Sequence, residues 1–311
     1  MPDNDAMTMD VIDWLLDSDP SIRWQVMRDL TDAPAEIVSA ERAKVANEGW
    51  GARLLALQGA DGQWGGGTYF PYGLATKPTL QLLRDMGLDP ESDAARSAIA
   101  LVREKSRWEH AGQPFFEGEV EPCINGTAAA IGAYFGEDVG GIVDRLLGEQ
   151  MADGGWNCDQ ERGSTRGSFN STICVLEGLL EYERAAGGSP EVTAARLRGE
   201  EYLLERRLLR RRSTGKVIDQ NWTRFSYPAA WHYDVLRGLD YLRTAAVTPD
   251  ERIAEAIDLV ASKRDAKGRW PLENPHEGEL HFAMDEGEGR PSRWNTLRAL
   301  RVLRWYEEAR R

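Results

Sequence analysis

Residues Glu149–Asp159 read EQMADGGWNCD. An apolar helical run stops at Asp-Gly-Gly, and an indole follows at once. Two other breaks have the same form: LQGADGQWGGG from Leu57 and SKRDAKGRWPL from Ser262. Gln58/Gly62/Trp64 and Gln150/Gly154/Trp156 both fit QxxxGxW, whereas Arg264/Gly268/Trp270 keeps the Gly and Trp but has Arg in the first place. A weaker copy, Arg211/Gly215/Val217, lacks the indole. Self-similarity at intervals of tens of residues points to stacked supersecondary units, so the repeat decides the fold.

Between the breaks, two kinds of helical segment alternate. Thr76–Leu88, Cys123–Gly136, Ser168–Tyr182, Trp231–Leu242 and Arg293–Tyr306 open with polar or aromatic residues and continue apolar over most of their circumference, as buried helices do. Ala40–Leu57, Asp93–Glu104, Val139–Gln150, Pro190–Leu209 and Pro249–Ser262 are richer in Glu, Arg and Lys and keep one wet face. Residues 11–30 supply a further pair, with Asp19 as N-cap and Pro20 at the first helical position. Strand signals are nearly absent. The expectation is an all-α protein, a single α/α toroid of about six inner and six outer helices. It spans residues 1–311, and the helical pair in residues 1–35 completes the ring.

Acidic residues outnumber basic ones 51 to 38, a formal charge of −13, which argues against a nucleic-acid partner or an anionic membrane surface. The basic run Glu205–Lys216 reads as a solvated helix end. Three cysteines, Cys123, Cys158 and Cys174, are too few for a disulfide framework and fit a reducing compartment. With no apolar signal core at the N-terminus and no long apolar run, the expectation is a cytoplasmic protein without stable membrane insertion. Nothing in the sequence points to a protein partner.

The two QxxxGxW stretches resemble the QW repeat of the squalene and oxidosqualene cyclases, within the wider terpenoid cyclase and protein prenyltransferase toroid superfamily. The resemblance covers the whole sequence as one toroid. It implies that Gln and Trp tie neighbouring outer helices together by hydrogen bonding and stacking. The catalytic signatures do not follow. There is no DxDD acid motif, the nearest positional equivalent being WHYD at Trp231–Asp234, and no Asp-x-Cys zinc pair. Asn170 and Ser171 stand where the resemblance would require a zinc histidine.

In such a ring the inner helices run parallel, so their N-termini bring free N–H groups and partial positive charge to one mouth above an apolar barrel. His232, Asp234 and Asp285 are the expected proton-handling residues, because an imidazole beside a carboxylate suits proton transfer near neutral pH. The expected substrate contacts are Cys158, Asp159, Asn170, Arg224, Trp231, Tyr233, His281, Glu286, Arg290, Arg293, Trp294 and Asn295. No cofactor is expected. Zinc is the one metal the residues leave room for, on Cys123, Cys158, Asp159 and His232. Three functions stay open. The first is a cyclase-like or prenyltransferase-like toroid holding an isoprenoid or other apolar small molecule, with cyclisation or transfer as its chemistry. The second is a carbohydrate-active enzyme using tryptophan platforms and paired carboxylates. The third is a binding scaffold without catalysis.

Overall fold

The computed structural model describes residues 4–311, with side chains from residue 10 onward; residues 1–3 of the expected domain lie outside the described ones. In sequence order the helices are α1 (Asn4–Leu16), α2 (Pro20–Asp29), α3 (Ala35–Ala43), α4 (Gly49–Leu55), α5 (Thr76–Asp85), α6 (Asp93–Lys105) and α7 (Pro122–Tyr134). There follow α8 (Gly140–Gly148), α9 (Phe169–Ala186), α10 (Pro190–Leu204), α11 (Val235–Thr244), α12 (Ala254–Ser262) and α13 (Arg293–Glu308). Among the described residues no β-strand forms, only isolated bridges at the loop necks such as Trp64–Gly67 and Trp156–Ser168.

Helices α2, α5, α7, α9, α11 and α13 form the inner layer, and contacts run round the whole circle. Trp24 donates its indole N–H to the Met86 carbonyl at 2.8 Å, joining α2 to the end of α5. Tyr134 of α7 donates to the Leu88 carbonyl beyond α5 at 2.8 Å. Helices α7 and α9 touch backbone to backbone: a Cβ on Gly126 would lie 2.5 Å from the Cys174 carbonyl, and one on Gly178 2.4 Å from the Gly126 oxygen. That approach buries every residue of α7 from Pro122 to Ala133. Arg237 of α11 grips Glu177 of α9 through two bonds of 2.8 and 2.7 Å. Arg301 of α13 reaches back to Gln25 of α2 at 3.0 Å, and Arg304 reaches the Asp29 carbonyl at 3.0 Å. The fold is therefore a closed α/α toroid, with α1, α3 and α4 together, α6, α8, α10 and α12 outside.

The repeated punctuation supplies the joints. Trp64, Trp156 and Trp270 have no exposed surface. Their indole N–H groups donate to the carbonyls of Leu54, Leu146 and Val260 at 2.6, 2.7 and 2.6 Å, each in the last turn or just before the end of the preceding outer helix. A helix leaves its final carbonyls without intrahelical donors, so the indole caps the end of the helix before it. Their backbone N–H groups donate to Thr76, Thr172 and Thr296, at or near the start of the next inner helix. The glutamines reach sideways: Gln58 donates to the Ala98 carbonyl of α6 at 3.0 Å, and Gln150 to that of Ala195 in α10 at 2.8 Å. Gly154 takes φ 87°, and a Cβ there would meet the Arg198 carbonyl at 2.5 Å, so only glycine fits the joint.

Several boundaries differ from the sequence expectation: Ala40–Leu57, expected as one outer helix, is divided between α3 and α4, and α11 and α12 begin at Val235 and Ala254 and not at Trp231 and Pro249. Helix α10 ends at Leu204 and not at Leu209, because Arg207 and Leu208 adopt positive φ values of 47° and 66° and turn the backbone. Asp19 caps α2 as its position suggests, accepting from the Ser21 N–H. Among the described residues no helix is long and apolar enough to cross a membrane.

Candidate functional site

At the N-terminal ends of α7 and α9 opens a cavity of about 590 Å³. Its lip is aromatic. Tyr69, Phe70 and Tyr72 pack edge to face, with ring centroids 4.6 to 5.3 Å apart. Phe70 and Tyr72 remain 50 % and 47 % exposed, which sets them apart from the buried tryptophans of the joints. The Glu109 carboxylate holds this loop in place by accepting from the backbone N–H groups of Thr68, Tyr69 and Phe70. Trp108, Ile124 and Trp231 continue the apolar wall.

The floor carries sulfur. Cys123, in the first turn of α7, and Cys158, on the loop after Trp156, place their sulfurs 3.1 Å apart. Cys158 also lies 3.3 Å from the Ser171 hydroxyl, and Cys123 lies 3.6 Å from a Glu121 carboxylate oxygen. The Cys123 S–H bond lowers the pKa of the Cys158 thiol, with help from Ser171 and against the effect of burial. Cys123 is pushed up, first by that same bond and then by burial. Of the two, ionisation thus falls to Cys158 before Cys123, beside two helix N-termini that favour negative charge.

The candidate ligand atoms of Glu121, Cys123 and Cys158 all lie within 4.8 Å of one another, the one such group found among the described residues. Thiolate and carboxylate bonds of about 2.3 and 2.0 Å to a tetrahedral zinc ion place ligand atoms roughly 3.5 Å apart, so this triad has the donors and spacing for a soft divalent cation with one position open to the cavity. His232 and Asp159, expected beside the thiols, do not belong to it.

Of the residues expected to contact substrate, Cys158, Asp159, Asn170 and Trp231 line the cavity. The others lie elsewhere. Asp234 is buried as the N-cap of α11, accepting from Arg237 N–H at 2.7 Å and from the N–H and hydroxyl of Ser226 at 3.2 Å each. Asp285 lies at the N-terminus of α13, taking the Ser292 hydroxyl at 2.7 Å and Arg293 N–H at 3.1 Å, and burial pushes its carboxyl up to about 6. The two carboxylates therefore serve different helices. His232 is stacked between Trp231 and His276 with centroid distances of 3.7 Å on both sides. Burial, then the neighbouring His276 and Arg237, lower its pKa to about 4. Tyr233 is core, its hydroxyl bonded to the Leu208 carbonyl at 2.7 Å. Trp294 and Asn295 are buried as well. Arg293 ties α13 to the Trp14 and Asp17 carbonyls. Arg224 pairs with Glu288, Arg290 with Glu286, and His281 sits 3.0 Å from Thr79; none of them lines the cavity.

The expected apolar barrel below the mouth is not what the ring contains. Deeper along the inner helices lies a second cavity of about 190 Å³, walled by Arg84, Arg184, Arg237, Arg298 and Arg301 against Asp85, Glu177, Glu181 and Asp240. Burial raises the Asp240 carboxyl, but Arg301, Arg243 and Arg298 outweigh it and hold the group below the ordinary carboxylate range. The inner helices thus carry buried ion pairs beside their apolar side chains.

No family model matches this protein, and no curated protein does. Among solved structures it is similar to the type II terpene cyclase MstE from Scytonema in its apo form, at 15 % identity over 98 % of both chains with a TM-score of 0.48. A Tyr-to-Phe form of that protein is similar at 16 % identity over 98 % of this chain and 97 % of that one, TM-score 0.46. An Asp-to-Asn form in complex with geranylgeranyl dihydroxybenzoate is similar at 15 % identity over 98 % and 97 %, TM-score 0.47. The likeness is one of backbone path.

Proposed function

We propose that the toroid binds an apolar, isoprenoid-class small molecule in its mouth cavity, with the molecule's polar end beside Cys158. The observation that supports this most is the lip formed by the exposed Phe70 and Tyr72 on the half-buried Tyr69, above about 590 Å³ of partly apolar space. A folded protein gains nothing by leaving the Phe70 and Tyr72 rings in water beside the half-buried Tyr69, and a ligand tail laid across them removes that surface. Covering about 200 Å² of ring surface at about 25 cal/mol per Å² contributes a ceiling of roughly 5 kcal/mol to binding. At the foot of such a slot the Cys158 thiol and the Glu121 carboxylate, which lies 3.6 Å from the Cys123 sulfur, are the polar groups that meet the ligand's head. Acid-initiated cyclisation finds less support, since Asp234 is spent on capping and Asp285 lies outside the cavity.

The carbohydrate reading needs exposed tryptophan platforms and two free carboxylates across an open cleft. Trp64, Trp156, Trp270 and Trp294 are buried. Glu109 and Glu119 of the mouth are engaged by backbone N–H groups. The isoprenoid reading is tested by titrating the protein with farnesol and geranylgeraniol, following heat or fluorescence. Saturable binding is expected, weakened at least about tenfold in Phe70→Asp/Tyr72→Asp, a change confined to exposed side chains. Equal affinity in the variant, or no saturation, refutes the proposal.

A further inference from the structure

The ring brings two thiols together from places thirty-five positions apart in the sequence. Cys123 and Cys158 are both free, and their sulfurs stand 3.1 Å from each other. A disulfide bond is about 2.05 Å long, so joining them takes a closure of about 1 Å. Cys123 is fixed, since it lies in the first turn of α7, where every residue from Pro122 to Ala133 is buried. Cys158 is the side that can give. It stands near the start of the loop between Trp156 and Ser168, whose residues Asp159–Gly163 are exposed, and its backbone N–H donates to the Ser171 hydroxyl over a long 3.3 Å. Both cysteines line the mouth cavity, so a small oxidant that enters the mouth meets the pair. The third cysteine is set apart: Cys174 has no exposed surface, its sulfur faces the Trp231 carbonyl at 3.7 Å, and it lines neither cavity.

We propose that Cys123 and Cys158 are a site of reversible oxidation, closing to a disulfide when a hydroperoxide enters the mouth. Cys158, the less buried of the two, reacts first. Its sulfur attacks one peroxide oxygen, the O–O bond breaks, and the departing oxygen leaves as water with the proton that Cys158 gives up, so that Cys158 becomes a sulfenic acid. The Cys123 sulfur then attacks the Cys158 sulfur. The S–S bond forms, the S–O bond breaks, and a second water carries off the Cys123 proton, for which the Glu121 carboxylate 3.6 Å away is a ready acceptor. Two thiols and one hydrogen peroxide thus give one disulfide and two waters. The new bond ties the loop after Trp156 to α7 across the floor of the mouth and leaves neither sulfur of the Glu121–Cys123–Cys158 triad to ligate a cation. A dithiol reverses it by exchange. The inference does not rest on the isoprenoid reading.

The test uses the purified, reduced full chain with no ligand or metal added. The folded protein is treated with a few equivalents of hydrogen peroxide, its remaining thiols are blocked with iodoacetamide, and it is digested without reduction for peptide mass spectrometry. The expected product is a cross-linked peptide joining Cys123 to Cys158, with Cys174 alkylated, and dithiothreitol should restore all three thiols. In urea the same treatment should scatter the linkages and favour Cys158 with Cys174, the pair that closes the shortest loop. Cys123→Ser removes the second sulfur, so peroxide should leave Cys158 as a sulfenic acid that dimedone captures in severalfold higher yield than in the parent. Should that variant not fold, the cross-link in the parent decides alone. Cys158 carried on to a sulfinic acid while Cys123 stays a free thiol overturns the inference, and so do three unreacted thiols. A Cys123–Cys158 link that dominates equally in urea also overturns it, by showing that the fold does not select the pair. Farnesol titration is read on separate samples, so failure of the cross-link and failure of the isoprenoid reading are distinguishable.

Discussion

Replacing Trp156 by Phe removes the indole N–H and little else of the joint. The Leu146 carbonyl, in the last turn of α8, then loses a donor at 2.7 Å in a place with no exposed surface. An unsatisfied buried carbonyl costs about 1–3 kcal/mol, and the smaller ring leaves a void worth about 1 kcal/mol more. The expected loss is therefore about 2–4 kcal/mol, a large share of the margin of a typical domain. Trp231→Phe is the control, because that indole lines the mouth and no hydrogen bond of its ring N–H supports the fold; it should cost less than about 1 kcal/mol. Urea unfolding followed by circular dichroism reads both, with the slope compared to confirm that the unfolding reaction is the same. A Trp156→Phe loss below about 0.5 kcal/mol, or one equal to that of Trp231→Phe, refutes the capping argument.

Other consequences can be checked on the same protein. Gly126→Ala drives a Cβ into the Cys174 carbonyl, where the built distance is 2.5 Å, and should cost about 3 kcal/mol or abolish folding; a variant as stable as the parent would contradict the backbone-to-backbone packing of α7 on α9. Burial, with neighbouring positive charge, lowers His232 and His276 to about 4, below the ordinary value near 6.5. Between those values the unfolded state binds more protons, so their contribution to stability is present above pH 6.5 and is lost as pH falls towards 4. Asp285, raised to about 6, works the other way: it gives stability at acid pH that is lost as pH rises through 6. His232→Asn/His276→Asn should flatten the rise in urea midpoint between pH 4.5 and 7, and an unchanged slope would be evidence against buried neutral imidazoles. Limited alkylation with iodoacetamide at pH 7 should modify Cys158 before the buried Cys123 and Cys174, as peptide mass spectrometry will show; first labelling at Cys174 contradicts the thiol ordering. Zinc added to metal-free protein should raise the melting temperature, and Cys158→Ser should abolish the rise; an equal rise in that variant would remove the Glu121–Cys123–Cys158 triad as the ligand set.

The architecture was legible because its joints are local. Gln, Gly and Trp within seven residues state where a helix stops, how the backbone turns and what caps the end, and Asp19-Pro20 states where one begins. The mouth was only half legible. Cys158, Asn170 and Trp231 stood out as polar, aromatic or sulfur-bearing residues at helix entries, but the Tyr69–Tyr72 lip lies in a loop without periodicity. What holds it there is Glu109, about forty positions further on. The contact between Cys123 and Cys158 spans thirty-five positions and depends on the ring bringing α7 beside the loop after Trp156. Asp234 and Asp285 looked catalytic because a carboxylate before a helix can be either a cap or an acid, and only the N–H groups around it show which. The charged interior did have a signal. Arg84, Glu177, Arg237, Asp240, Arg298 and Arg301 interrupt helices that are otherwise buried, and charges in such helices must find partners across the ring.

The claim that the mouth holds an apolar ligand is tested most directly by photoaffinity labelling with a farnesyl probe bearing a diazirine, followed by peptide mapping. Labels are expected on the peptides that carry Tyr69–Tyr72 and Trp231, competed away by unlabelled farnesol and lost in Phe70→Asp/Tyr72→Asp. Labels confined to the exposed surface around Leu197, or unchanged in that variant, would contradict it.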